Sequence, residues 1–144
     1  MARILRGTEV AEALNAKIEK EIENLRVQGV KPTLVTIRIG EHDDDISYER
    51  GATKRAKNVG VVVRNKVLSP TISQEELIRI IETLNIDASV HGVLLFRPLP
   101  KHIDEIVVRN ALVPEKDIDG ITDLSLSGVF VGTDTGYAPC TPQA

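Results

Sequence analysis

The sequence predicts an α/β fold in which a parallel, three-layer sheet carries helices on both faces. Three apolar runs rich in β-branched residues are typical of buried strands, and segments with helical spacing of apolar residues separate them. Strands joined by helices of ten or more residues need crossover connections, which make neighbouring strands parallel.

Helix and strand alternate through the first half of the chain. Apolar residues at helical spacing predict an amphipathic helix over residues 8–28, ended by Gly29: Val10, Leu14, Ile18, Ile22 and Leu25. The run Thr33–Ile39, closed by Gly40, predicts the first strand. Residues 46–58 predict a second helix, and residues 61–68 predict the second strand.

The second half continues the alternation. Ser73 and Glu76 have the spacing of a capping box in front of apolar residues at helical spacing, so they predict the start of a third helix. The apolar run 90–95 predicts the third strand, and residues 103–112 predict a further helix.

The composition is that of one ordinary globular domain, with 42% hydrophobic and 27% charged residues among 144 and a formal charge of −3. Basic residues are scattered among acids, so we expect no nucleic-acid partner. No run of about 18 apolar residues occurs, so we expect no membrane partner. The single Cys140 provides neither an internal disulfide nor the spacing of metal ligands. We therefore expect a cytoplasmic protein without a metal site.

In a parallel sheet, ligands bind beyond the carboxyl ends of the strands, which directs attention to residues 40–55, 96–100 and 113–122. Tyr48 follows the first strand and could offer a flat face for stacking with a ring. The alternative is a tyrosine packed at the start of a helix with its hydroxyl exposed. The acids Asp43, Asp44 and Asp45 are more typical of a helix amino terminus than of a metal site.

Two further motifs lie at the other two places. Pro98 and Pro100 end the hydrogen bonding of the third strand and form a rigid turn, which suits a pocket but is also an ordinary strand terminator. Asp117 and Asp119 face the same way if their segment is extended and diverge if it turns. A buried aspartate there could accept hydrogen bonds from an amino-pyrimidine, whereas an Asx turn ending in Gly120 is the alternative.

Taken in order, the motifs of this chain resemble the amino-terminal half of the methylenetetrahydrofolate dehydrogenase/cyclohydrolase family. The resemblance covers essentially the whole chain, and the last two motifs are the most specific. The motifs are Ile4-Leu5-Arg6-Gly7, Ser47-Tyr48, Gly92-Val93-Leu94-Leu95 with Pro98-Leu99-Pro100, Pro114-Glu115-Lys116-Asp117-Ile118-Asp119-Gly120, and Pro139-Cys140-Thr141-Pro142.

The resemblance implies a tetrahydrofolate-binding catalytic domain over residues 1–122, the amino-terminal domain of a two-domain enzyme. Residues 123–144 are then a connector toward an NAD(P)-binding domain outside this chain. The implied catalytic residues are Tyr48, which stacks on the pterin ring, and Asp119, which anchors its amino-pyrimidine edge. The implied substrate-binding residues are Tyr48, Phe96, Pro98, Leu99 and Asp119.

The family oxidises 5,10-methylenetetrahydrofolate with NADP or NAD and hydrolyses the methenyl product, reactions of one-carbon metabolism that serve routes such as purine biosynthesis. The resemblance also implies a homodimer for the complete protein. This chain has no glycine-rich turn of the dinucleotide-binding type, so we expect no cofactor-binding residues in it and no hydride transfer by it alone.

The sequence departs from the family pattern at two positions. Ala52 stands where the family has a lysine, and Phe96 stands where it has the glutamine that holds that lysine. Replacing both partners of one hydrogen bond avoids the buried unsatisfied group that replacing one would leave. We expect folate binding with weak or absent cyclohydrolase activity, because positioned acid–base catalysis is typically worth about 10²–10⁴-fold. Arg97 is a better candidate than Arg55 to restore a positive charge near the site, and a solvated arginine at the end of a strand is the alternative.

Two other classes of protein compete with this interpretation. A folate-binding pseudoenzyme, or another non-catalytic binding module, would account for the missing lysine and glutamine. A flavodoxin-like receiver would also be a small α/β domain with acids after its first strand. It would need a phosphoacceptor aspartate and a later lysine, which Phe96-Arg97-Pro98 does not supply.

Overall fold

A three-stranded parallel sheet is the frame of the molecule, and the computed structural model describes it within residues 7–140. The strand order is β2-β1-β3, so the first strand is central. The strands are β1 (Thr33–Ile39), β2 (Val62–Leu68) and β3 (Gly92–Leu95), and the helices are α1 (Gly7–Val27), α2 (Asp43–Asn58), α3 (Gln74–Ile86), α4 (Glu105–Arg109) and α5 (Asp123–Val131). A 3₁₀ turn at Pro114–Lys116 lies between α4 and α5.

The two sides of β1 face different helices. Val35 and Ile37 belong to the buried apolar cluster that also contains Leu77 of α3. Thr36 and Arg38, which alternate with them, donate hydrogen bonds to Glu49 of α2. Because successive strand residues point to opposite faces, α2 and α3 cover opposite sides of the sheet. The predicted parallel sheet with helices on both faces is confirmed.

The apolar core lies mainly on the α3 side of the sheet. Its buried members come from β1, β3, α3, α4 and the segments that precede or follow these elements. They are Val35, Ile37, Ile39, Ile72, Leu77, Ile81, Leu84, Val90, Val93, Leu95, Ile103, Val108, Leu112 and Ile121.

The observed strand boundaries lie within two residues of the predicted ones, whereas some helix boundaries differ more. Helix α2 begins at Asp43, three residues before the predicted start, because carboxylates stabilise the positive end of the helix dipole. Helix α4 covers only Glu105–Arg109 of the predicted 103–112. The Asp104 side chain caps it by accepting hydrogen bonds from two backbone N–H groups, which fixes its start.

Helix α3 begins as predicted. Ser73 is its N-cap, and its Oγ accepts a hydrogen bond from Glu76 N at 3.1 Å. Between residues 7 and 140 no reciprocal bond joins the Glu76 side chain to the backbone of Ser73, so only half of the predicted capping box forms.

Two regions have features that the sequence did not predict. Helix α5 lies in the segment taken as a connector, and it is capped by Thr122 and ended by Gly132 in the left-handed conformation, at φ 72°. Helix α1 forms as predicted, but only Ile22 of its apolar stripe is buried, whereas Val10 is 70% exposed. Residues 4–6 and 141–142 of two family motifs lie outside the described residues.

Within the described part of the chain, none of the helices combines the length and the hydrophobicity needed to cross a membrane.

Candidate functional site

A pocket of about 320 Å³ opens where β3 ends. The first two turns of α2 form one wall and the end of β3 forms another. The residues that line the pocket are Asp44, Asp45, Tyr48, Leu94, Leu95, Phe96, Arg97 and Asp119. This is the carboxyl-end position at which parallel sheets bind their ligands.

An aromatic pair forms the apolar part of the pocket. The rings of Tyr48 and Phe96 meet edge to face, with centroids 5.7 Å apart and planes at 81°. Phe96 is 9% exposed, and its backbone N–H donates to Ile37 O at 2.9 Å, which anchors it to the central strand. Tyr48 is 64% exposed, so most of its surface remains open to a ligand.

The two aspartates of the Lys116–Gly120 segment have different surroundings. The backbone N–H of Gly120 donates to Asp117 O at 3.1 Å and closes a turn, so the two side chains diverge. Asp117 is fully buried, and its carboxylate accepts hydrogen bonds from Ile121 N, Thr122 N and Ser125 Oγ at 3.0, 2.8 and 2.7 Å. Asp117 therefore fixes the start of α5 and is not available to a ligand.

Asp119 lines the pocket, and no side-chain hydrogen bond of its carboxylate occurs within residues 7–140. Burial raises the pKa of Asp119, the nearby Arg97 guanidinium opposes that rise in pKa, and the Asp117 carboxylate adds to it. A half-buried carboxylate without a partner is suited to accept hydrogen bonds from a ligand.

The turn after β3 places Arg97 at the pocket but pairs it with an acid. Arg97 Nη1 donates to Glu105 Oε1 at 3.2 Å, and both side chains are 35% exposed. The backbone N–H of Leu99 bonds to the same carboxylate at 3.4 Å, and the Leu99 side chain packs against the core. Pro98, which follows a cis peptide bond, is exposed. Neither Pro98 nor Leu99 lines the pocket, so their role in substrate binding remains a prediction.

The cations of α2 do not reach the pocket in the described structure. Ala52, one helical turn after Tyr48, is half-buried and carries no charge. Lys54 lines a larger groove of about 500 Å³ between α2 and β2, away from Tyr48. Arg55 donates a hydrogen bond to Asn15 Oδ1 of α1 at 3.1 Å.

A buried ionic network, which was not predicted from the sequence, links α2 to β1. Glu49 accepts hydrogen bonds from Thr36 Oγ1 at 2.7 Å and from Arg38 Nε at 3.2 Å, and Arg38 also donates to Gly40 O. The available signal was the pair of polar residues two apart in β1, which lie on one face of an otherwise apolar strand.

Asp44 and Asp45, which are more typical of a helix amino terminus than of a metal site, also line the pocket. Over residues 7–140, however, no group of three or more metal-ligating side chains is assembled that could hold a metal ion.

Comparisons with known proteins agree on one family. The family model for the tetrahydrofolate dehydrogenase/cyclohydrolase catalytic domain matches residues 5–119. A bifunctional protein FolD from Clostridium kluyveri is 43% identical over all 144 residues, which cover 51% of its length. A protein of the same name from Clostridioides difficile is 40% identical over 142 residues, covering 50% of its length. The chain thus spans about half the length of these curated relatives.

Solved structures show the same relationship. A 5,10-methylenetetrahydrofolate dehydrogenase from the silkworm Bombyx mori superposes with a TM-score of 0.91 over 99% of this chain and 49% of its own, at 33% identity. The Trypanosoma brucei methylenetetrahydrofolate dehydrogenase-cyclohydrolase, solved with NADP and an inhibitor, gives a TM-score of 0.88 over 99% of this chain and 49% of its own, at 29% identity.

Proposed function

The chain belongs to the tetrahydrofolate dehydrogenase/cyclohydrolase family, and on that premise we propose that its pocket binds the pterin ring of tetrahydrofolate one-carbon derivatives. The observation that carries the proposal is that Tyr48, Phe96 and Asp119, which are distant in sequence, line one pocket. In a complete protein of the relatives' length, this domain would present 5,10-methylenetetrahydrofolate for oxidation by NADP or NAD.

Binding would combine stacking with a directed polar contact. The open surface of Tyr48 would stack on the pterin, which is worth about 0.5–1.5 kcal/mol beyond the area buried. The Asp119 carboxylate would accept hydrogen bonds from the ring N–H and the exocyclic amine of the amino-pyrimidine. Hydrogen bonds to a charged acceptor are about twice as strong as neutral ones, so Asp119 would set the orientation of the ring.

The pocket is better suited to oxidation than to hydrolysis. A nicotinamide cofactor, when bound by the other half of the protein, supplies the acceptor for the hydride that leaves the methylene carbon. This chain would hold and orient the folate, and hydride transfer depends strongly on such orientation. The carboxylates of Asp44, Asp45 and Asp119 line the pocket and would favour the positive charge that develops on the folate as the hydride departs.

Cyclohydrolase activity would be weak, because Ala52 and Phe96 place apolar groups where an amine and its partner would act. Arg97 is a poor substitute, since an arginine stays protonated and since its guanidinium is already paired with Glu105 at 3.2 Å.

Titration of the 144-residue chain with methenyltetrahydrofolate by calorimetry tests the binding proposal. We expect Tyr48→Ala and Asp119→Ala to weaken binding by at least tenfold. Tyr137→Ala and Asp134→Ala are matched controls, because both residues are exposed and neither lines the pocket. Equal affinities in all four variants would refute the assignment of the pocket.

A protein joining this chain to the second half of the Clostridium kluyveri relative tests the chemistry. We expect NAD(P)-dependent dehydrogenase activity and a methenyl hydrolysis rate that rises when Ala52→Lys and Phe96→Gln are introduced together. Rapid hydrolysis by the unaltered pocket would contradict the proposed loss of the second reaction.

A non-catalytic folate-binding protein is the second candidate, and the apolar pair at positions 52 and 96 favours it. It predicts folate binding without dehydrogenase activity in the joined protein. In either case we propose a cytoplasmic, homodimeric complete protein that serves one-carbon metabolism, including purine biosynthesis.

A further inference from the structure

Arg97 brings a positive charge to a pocket that is also lined by carboxylates. Among the described residues that line the pocket, Arg97 is the only cation, and Asp44, Asp45 and Asp119 are the acids. Arg97 and Asp119 lie close enough for the guanidinium to oppose the rise in the pKa of that carboxyl. Within residues 7–140 no hydrogen bond joins the two side chains, so both are available to a ligand.

Glu105 holds the Arg97 side chain through a single nitrogen. Arg97 Nη1 donates to Glu105 Oε1 at 3.2 Å, and Glu105 Oε2 accepts a hydrogen bond from Leu99 N at 3.4 Å. A guanidinium has five N–H donors in a rigid plane. Over the described part of the chain, Nε and Nη2 of Arg97 make no hydrogen bond, and the side chain is 35% exposed. The ion pair therefore fixes the guanidinium and leaves donors for a ligand.

The pterin ring has an acceptor that matches such a donor. In its amino-pyrimidine part, the N3–H group and the exocyclic 2-amine are donors, and the carbonyl oxygen O4 is attached to the ring carbon next to N3. A carboxylate that accepts hydrogen bonds from both donors therefore has O4 beside it. A cationic donor that lies near the same carboxylate is placed to donate to O4, and such charge-assisted hydrogen bonds are among the strong ones.

We propose that Arg97 is a specificity-determining residue, which donates a hydrogen bond to O4 of the pterin and selects 4-oxo over 4-amino pteridines. The proposal rests on the proposed function, in which Asp119 accepts hydrogen bonds from the other two groups of the same ring edge. This role requires no proton transfer, and it suits an arginine because the guanidinium stays charged.

The selectivity follows from the donors on each side. A 4-amino group presents N–H groups where O4 presents lone pairs, so it would meet the Arg97 guanidinium donor to donor. The guanidinium would then lose a partner inside the pocket, which costs more than the absence of a neutral contact. A site that is built to hydrogen-bond one group of a ligand discriminates strongly against an analogue without that group.

Calorimetric titration of the 144-residue chain with tetrahydrofolate and with its 4-amino analogue, tetrahydroaminopterin, tests the proposal. We expect Arg97→Met to weaken tetrahydrofolate binding by about tenfold or more and to leave the affinity for the 4-amino analogue unchanged or higher. Arg97→Gln, a second uncharged variant, should change the ratio of the two affinities in the same direction. Lys101→Met is the matched control, because Lys101 is an exposed cation between β3 and α4 that does not line the pocket. Both affinities should stay unchanged in the control.

Two results would overturn the proposal. An equal loss of affinity for both ligands in the Arg97 variants would mean that Arg97 does not distinguish the substituents at C4. A loss that disappears when tetrahydropteroate replaces tetrahydrofolate would assign Arg97 to the carboxylates of the glutamate, which tetrahydropteroate lacks. Retained binding of the 4-amino analogue shows in the same experiment that the pocket of each variant is folded.

Failure of this inference is distinguishable from failure of the proposed function. If Tyr48→Ala and Asp119→Ala bind tetrahydrofolate as tightly as the unaltered chain, or if the unaltered chain does not bind it, the assignment of the pocket is wrong and this inference is wrong with it. If those two variants bind weakly and the Arg97 variants leave the ratio of affinities unchanged, the role of Arg97 alone is refuted.

Discussion

The buried network of Thr36, Arg38 and Glu49 gives the sharpest test of how α2, and with it Tyr48, is held on the sheet. The charged side chains are only 8% and 9% exposed, so little water solvates either charge. Removing one partner of a buried pair leaves the other charge uncompensated and typically costs about 3–5 kcal/mol. We therefore expect Glu49→Leu and Arg38→Met each to lower the free energy of unfolding by about 3–5 kcal/mol.

Replacing the whole network at once should have a different result. Thr36→Val, Arg38→Met and Glu49→Leu together leave no buried charge and no orphaned hydroxyl. A buried ionic group exchanged for apolar residues of similar size is often neutral or stabilising by about 1–4 kcal/mol. The triple variant leaves Gly40 O without its hydrogen bond from Arg38, so its stability should be close to that of the unaltered chain, although two of its component changes are severe alone.

Urea unfolding followed by circular dichroism measures these effects. With a denaturant slope of about 2 kcal/mol per molar urea, each severe single change moves the midpoint by about 2 M. The control is Glu21→Leu, which breaks the Lys17–Glu21 pair of α1, whose side chains are 74% and 62% exposed. Breaking that pair should cost about 0.3–0.5 kcal/mol. Single changes at Arg38 or Glu49 that cost no more than the control, or a triple variant as unstable as the sum of the singles, would refute this reasoning.

Three further predictions concern caps and carboxylates. Ser73→Ala removes the N-cap of α3 and should cost about 1 kcal/mol in urea unfolding; a cost near zero would contradict the capping role. Asp117→Asn places an amide where a fully buried carboxylate accepts three hydrogen bonds, and should cost about 3 kcal/mol. The Thr122 amide, which donates to Asp117, should then exchange its hydrogen faster. An unchanged exchange rate would contradict the proposed role of the Asp117 carboxylate. Because burial raises the pKa of Asp119, the folded protein favours its protonated form, and stability is lost as pH rises from the ordinary aspartate range through the raised pKa. The free energy of unfolding of Asp119→Asn should therefore rise relative to that of the unaltered chain across that pH window, and the two should be equal at lower pH. Unfolding at a series of pH values measures this, and a difference that persists at the lowest pH would refute the raised pKa of Asp119.

Much of the sheet was predictable from local pattern. Thr33–Ile39 is a β-branched run with a glycine after it, and strand propensity and burial agree along its length. The connections through α2 and α3 are long enough to require parallel pairing. The position beyond the carboxyl ends of the strands directed attention to Tyr48 and to the segment that contains Asp117 and Asp119. The family resemblance then singled out Asp119 of the two aspartates.

Other features had no local signature. The segment from Lys116 to Gly120 allows both an extended strand and a turn, and only the turn separates Asp117 from Asp119. Helix α5 was not predicted, because its apolar residues surround the helix and give no stripe. Glu49 looked like an ordinary surface acid of α2, since nothing near it in sequence indicates that Thr36 and Arg38 lie beneath it.

The amino-acid sequence alone determined the α/β class, the order of strands and crossover helices, and the family motifs, because hydrophobic period, capping residues and turn residues act over a few neighbouring positions. The tertiary structure alone decided which aspartate is buried and which faces the pocket, that Arg97 is paired with Glu105, and that the large apolar residues of α5 are exposed. These outcomes depend on contacts between side chains that lie up to tens of residues apart in the sequence. For such contacts burial and pairing, and not local propensity, decide which arrangement has the lower free energy.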